Sequence, residues 1–192
     1  MKFSKRQGLL LLGLLAIAAI VARFDAIEGL QASIQAFDSG SGVPNSEHWL
    51  VMDVSDGDTL RVGLDGEIKK LRICGIDAPE ISQPLGNESR AYLESLLALN
   101  QEGRIIVVPL EEDQYGRTVA ELFLQPDNRP DEEISINAEM LMAGMAFVYP
   151  QYVSGCPSDE ALKRAEAIGQ EAKVGVWATE HQYPWDYRQE NR

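Results

Sequence analysis

An Asp65-Gly66 pair between two apolar-patterned segments constrains this chain more than any other local feature. Asp-Gly suits a two-residue hairpin turn, which requires positive φ at both central residues. Before it, Asp58 to Leu64 (DTLRVGL) alternates, placing Leu60, Val62 and Leu64 on one face. After it, Glu67 to Ile76 (EIKKLRICGI) alternates less cleanly, with Ile68, Leu71, Ile73 and Ile76 apolar. His48 to Val54 (HWLVMDV) is apolar and β-prone, so three extended segments follow one another.

Further along, Arg104 to Leu110 (RIIVVPL) reads as a buried strand and Thr118 to Leu124 (TVAELFL) as another, joined by a charged turn, EEDQYGR. Three helices are predicted. Glu88 to Leu99 carries the apolar stripe Tyr92, Leu93, Leu96, Leu97 and Leu99, with Asn87 as N-cap. Ser135 to Ala143 ends at Gly144, a natural C-cap. Asp159 to Lys173 has Ala161, Leu162, Ala165, Ile168 and Ala172 at helical spacing. The order β-β-β-α-β-β-α-α, with short strands, predicts an α+β chain that is mainly a small barrel with helices outside. A five-stranded, partly open OB-type barrel is one such design.

The ends read differently. Lys2, Lys5 and Arg6 precede an uncharged run from Gly8 to Ala22. That run is shorter than the ~20 residues a bilayer span needs. Residues 1–22 therefore read as a signal peptide, or as an uncleaved anchor that attaches the chain to a membrane through residues 8–22. The protein is expected to be exported, either secreted or held in the periplasm or cell envelope. Residues 23–45 read as a flexible linker, rich in Gly, Ser and Pro towards its end. Residues 46–179 form the folded domain, and 180–192 a polar, aromatic tail with no assigned structure.

The chain carries 30 acidic against 17 basic residues, a net charge of −13. Phosphate-tracking proteins usually show a basic face, so the total charge argues against a tight nucleic-acid binder. An acidic enzyme can still act on a polyanion where its site is locally positive and holds a divalent cation. Cys74 and Cys156 form no C-x-x-C, which removes zinc-ribbon and thioredoxin readings. The two would be buried thiols in a reducing compartment, or one disulfide in an exported protein. His48 and His181 match no metal-ligand spacing.

Three clusters carry chemistry: Asp56-Gly57-Asp58-Thr59, Arg72 to Glu80 (RICGIDAPE), and Asp113 to Arg117 (DQYGR). Asp58 and Asp77 lie beside turns at the ends of neighbouring strands. Carboxylates converging from separate strands suit a hard cation that keeps most of its waters. Glu80 stands beyond Asp77 across a stiffening proline, and a carboxylate there is a sensible general base. Arg72 and Arg117 offer forked donors for phosphate oxygens. Singly, each has a plainer reading as a turn acid or a surface arginine.

Together the clusters resemble the staphylococcal nuclease (thermonuclease) family. V-x-D-G-D-T stands at Val54 to Thr59, R-x-x-G-I-D-A-P-E at Arg72 to Glu80, and D-x-Y-G-R at Asp113 to Arg117. The stretches Asn137 to Tyr149 and Lys173 to Trp177 are also family-like, so the resemblance spans roughly Leu50 to Trp177. It implies a five-stranded OB-type barrel with three helices and calcium-dependent hydrolysis of DNA and RNA. It implies Asp58, Asp77 and the Ala78 carbonyl as Ca2+ ligands, Glu80 as base, Arg72 and Arg117 on the scissile phosphate, and Tyr115 lining the nucleotide pocket. Ala78 and Gln114 depart from the threonine and lysine of the founding member. With the acidic charge, this implies weakly bound DNA and RNA substrates. A monomer is expected. Export together with this fold implies a disulfide between Cys74 and Cys156. The rival readings are a catalytically silent OB-fold module that binds nucleic acid, an envelope scaffold, and a phosphodiesterase on a smaller substrate.

Overall fold

The computed structural model describes residues 46–191. The expected signal or anchor segment 1–22 and the linker 23–45 lie outside the described residues. Among those described, no helix is long and apolar enough to cross a membrane.

Strands β1 (Glu47–Val54), β2 (Thr59–Leu64) and β3 (Glu67–Ile73) form an antiparallel meander. Asp65 and Gly66 join β2 to β3 with φ of 50° and 87°, the doubly left-handed turn that matches strand twist. After the two-residue strand β4 (Ile76–Asp77) comes helix α1 (Gly86–Leu97), then β5 (Arg104–Glu112) and β6 (Thr118–Leu124). Strand β5 pairs with β1 on one side and β6 on the other. Strand β6 then pairs in parallel with β3, matching Leu71 to Thr118, Arg72 to Val119 and Ile73 to Ala120. That seam closes a five-stranded barrel, the fold class expected from the sequence.

Alternate residues fill the barrel: Trp49, Leu60, Val62, Leu71, Ile73, Ile105, Val107, Ala120, Leu122 and Leu124 are buried. Leu64 and Ile68, at the hairpin end, face outward instead. Outside the barrel lie the short strand β7 (Ile134–Ser135), α2 (Ile136–Met142), β8 (Phe147–Val148) and α3 (Asp159–Ala172). Strand β8 pairs with β4, setting Val148 against Ile76 and Phe147 against Asp77.

Helix α1 starts two residues before the expected Glu88 and is not capped by Asn87. Leu85 stands at its N-cap with φ of 68° and makes no side-chain cap bond. Helix α2 is capped as the sequence suggests, with Ser135 Oγ accepting from the Ala138 amide. The sequence assigns no structure to residues 180–192, of which 180–191 are described. They contain a fourth helix, α4 (Pro184–Glu190), so four helices, not three, stand among the described residues. Proline at N1 preorganises the start of α4. Its seven residues are too few for a periodic signal to emerge in the sequence.

Two internal ties fasten the helices to the barrel. Cys74, just past β3, is disulfide-bonded to Cys156, with Cα atoms 6.0 Å apart and a sequence separation of 82. A loop of that length corresponds to about 4–5 kcal/mol in the loop-entropy model. The fully buried Asn137 accepts from Leu122 N–H at 2.9 Å and donates to the Cys74 carbonyl at 2.8 Å. Replacing it by alanine strands one buried donor and one buried acceptor. Asn137→Ala should lower unfolding free energy by about 2–4 kcal/mol in urea denaturation. A loss below about 0.5 kcal/mol would show that these bonds do not brace α2 against the barrel.

Candidate active site

The three polar clusters meet at one end of the barrel, and a glycine makes the meeting possible. A Cβ on Gly57 would lie 1.9 Å from Ser89 Oγ of α1 and 2.7 Å from Ala78 Cβ. Only a bare backbone lets the Asp56–Thr59 turn nest between α1 and the Asp77 turn. Ser89, itself buried, fixes α1 by donating to the Met145 carbonyl at 2.6 Å. Gly86 does the same for the Glu80 loop, since a Cβ there would lie 2.0 Å from the Glu80 carbonyl oxygen.

Asp58 is buried in this turn. Its Oδ1 accepts from Thr59 Oγ1 and forms a direct ion pair with Arg72, and its Oδ2 accepts from the Ala78 amide at 2.7 Å. Asp56 Oδ1 accepts from the Asp58 amide at 3.0 Å. Burial pushes the Asp56 carboxyl up, while the Arg72 charge and bonds from Thr59 pull the other way. Arg72 also donates to the Ile76 carbonyl at 3.1 Å and to Asp77 Oδ1 at 2.8 Å. One guanidinium therefore holds both expected metal carboxylates. Burial lowers Arg72 from its ordinary value; Asp77 opposes this, and the nearby charge of Arg117 adds to it.

Arg117 reaches the same end of the barrel because it precedes Thr118, the residue opposite Leu71 in the closing seam. Asp113 anchors it, accepting from Arg117 Nε and Nη2 at 2.7 Å, and from the Arg117 and Tyr115 amides. Desolvation alone would raise the Asp113 carboxyl, but these bonds prevail and hold it below its ordinary value. Tyr115 is 74% exposed, with the Arg117 guanidinium 5.5 Å from its ring.

Glu80 sits at a tight turn, where its amide donates to Gln83 Oε1 and its carbonyl accepts from the Gln83 amide. Its carboxylate faces a residue that the sequence does not single out. Arg188 of α4 donates through Nη1 to Glu80 Oε1 at 2.8 Å and to Asp77 Oδ1 at 3.1 Å, and through Nη2 to Asp77 Oδ2 at 2.8 Å. Burial acts to lower Arg188, but the bonds and charges of Asp77 and Glu80 outweigh it and raise it. A lone arginine in a polar tail carries no motif. The available signal is the density of aromatics around it, Tyr183, Trp185 and Tyr187, which marks a packed segment.

Among the described residues, no three His, Cys, Asp or Glu side chains converge as a preformed metal cage. The donor set nonetheless suits a hard cation: Asp58 and Asp77 carboxylates with the Ala78 carbonyl in the adjoining turn, and no sulfur or imidazole. Asp77, with none of its side chain exposed, takes two guanidiniums, so the position demands positive charge. Gly57→Ala should cost about 1–3 kcal/mol by urea unfolding through overpacking. An unchanged midpoint would show that the turn is not wedged as described.

Residues 70–179 match the family described as staphylococcal nuclease homologue. The chain is 32% identical over 145 residues to micrococcal nuclease of Shigella flexneri, covering 74% of this chain and 80% of that one. It is 31% identical over 144 residues to protein ParB of Escherichia coli, covering 73% and 78%. It is 28% identical over 174 residues to thermonuclease of Staphylococcus hyicus, covering 86% and 95%. With its closed barrel and its clustered arginines and carboxylates, this chain belongs to the staphylococcal nuclease family.

Proposed function

We propose that this protein is a calcium-dependent endonuclease that hydrolyses phosphodiester bonds in DNA and RNA. The observation that carries the reading is the convergence of Asp58, Arg72, Asp77 and Glu80 on one barrel end, with Arg117 beside them. Relatives named micrococcal nuclease and thermonuclease support it.

Asp58, Asp77 and the Ala78 carbonyl would hold the cation, which when bound supplies charge neutralisation and a lowered barrier to water activation. Glu80, with about a third of its side chain exposed, accepts the proton of the attacking water. Arg72 and Arg117 grip the phosphate oxygens and stabilise the charge that builds on them as the bond to water forms and the bond to the departing ester oxygen breaks, that oxygen taking its proton from solvent. Both must then turn from their present acidic partners towards the substrate. Tyr115 offers an exposed ring at the rim for a nucleotide. The acidic total charge makes substrate holding weak, so the catalytic set rather than a basic groove carries the interaction. The reading places the enzyme outside the reducing cytoplasm, in keeping with its Cys74–Cys156 disulfide.

Plasmid and single-strand cleavage by the full chain should require calcium and stop with chelator. Glu80→Gln should lower the rate by roughly 10²–10⁴-fold without changing the melting temperature by more than a few degrees. Folded wild-type protein that cuts nothing under any divalent ion would instead favour a nucleic-acid-binding module or a smaller phosphodiester substrate.

A further inference from the structure

We propose that Arg188 is the resident counter-ion of Asp77 and Glu80, and that α4 is a strap which a divalent cation must lift to reach those carboxylates. The proposal rests on the divalent-cation reading above.

The first support is stereochemical. Both oxygens of the wholly buried Asp77 accept from the Arg188 fork, at 3.1 and 2.8 Å, and the same Nη1 reaches Glu80 at 2.8 Å. A planar guanidinium is the side chain best matched to such two-pronged binding. A cation bound by Asp77 needs lone pairs on these same oxygens, and it would repel the guanidinium besides. Arg188 and the cation therefore compete for one carboxylate.

The second support is how the strap is built. Seven residues make a marginal helix on their own, so docking maintains α4. Its base is a ring stack, with Trp185 5.5 Å from Tyr149 at 6° and 4.5 Å from Tyr183 at 9°. Its end is polar. There Tyr187 Oη donates to Ser82 Oγ at 2.9 Å, while before the helix, at its base, Gln83 Nε2 donates to the Gln182 carbonyl at 3.2 Å. With Arg188 on Glu80, three polar links from this segment reach residues 80–83. Tyr149 serves both parts, since the Arg188 guanidinium lies 6.0 Å over the ring on which Trp185 stacks, so the ring stack can stay docked while Arg188 swings off the carboxylates. Arg188 also lies beyond residues 70–179, the span that matches the family.

Coupling of this kind is reciprocal: what Arg188 subtracts from cation binding, the cation subtracts from strap docking. Calorimetric titration of the full chain with calcium should show Arg188→Gln binding about tenfold more tightly than wild type. The sign is decisive. An arginine that merely props Asp77 and Glu80 in place would weaken cation binding when removed. Limited proteolysis of wild type should also cut after Thr179 faster in calcium than in chelator. This second readout decides the matter if Arg188→Gln fails to fold without metal. Equal or weaker calcium affinity in Arg188→Gln overturns the strap and leaves the cation site standing. Calcium-indifferent cleavage of the wild-type tail does the same. Absence of calcium binding to either protein overturns both readings.

Discussion

The parallel seam between β3 and β6 is the constraint from which the rest of the site follows. It sets Leu71 opposite Thr118, and so brings Arg72 and Arg117 to one end of the barrel from segments far apart in sequence. Without it, β3 and the Thr118–Ala120 part of β6 would be open edges of a curled sheet, and each arginine would sit on a separate rim. The seam also orients the chain that leaves β3, through Cys74 and Gly75, into the Asp77 turn. The disulfide and the two Asn137 hydrogen bonds fix that exit from outside.

Electrostatics then decides what the end of the barrel can do. The chain as a whole is strongly acidic, yet its buried carboxylates are not left to repel one another. Arg72 ties Asp58 to Asp77, and Arg188 ties Asp77 to Glu80. Within the buried part, Asp58, Arg72 and Asp77, removing one partner commonly costs about 3–5 kcal/mol, because the charge left behind has no water to turn to; Glu80 and Arg188, each about a third exposed, keep some. The same logic makes the cluster receptive. Under the proposed function, a site that already stabilises positive charge beside carboxylates would accept a divalent cation by exchanging one positive partner for another.

Much of this is legible in the sequence, and the reason is local. Asp65-Gly66 encodes its own turn, and Thr118 to Leu124, read from the sequence as a strand, keeps those bounds in the structure. Asp58, Arg72, Asp77, Glu80 and Arg117 stand out because they fall in short clusters built around glycine and proline. Long-range features are not legible. No pattern in residues 71–73 announces a parallel partner at 118–120, and the two-residue strands β4 and β8 exist only because they face each other. Asn87 has cap chemistry, but the close approach of Gly86 to the Glu80 carbonyl starts α1 earlier. Arg188 is hidden for the same reason, since its meaning lies wholly in the two carboxylates it meets more than a hundred residues away.

The central claim is that these carboxylates form a cation site at the barrel end. Anomalous scattering from crystals of the full chain grown with manganese, a close substitute for calcium at oxygen sites, tests it directly. The account predicts a single strong peak bounded by the Asp58 and Asp77 carboxylates, with Arg188 no longer on Asp77. A map with no peak there, and with both guanidiniums still paired to Asp77, would contradict it.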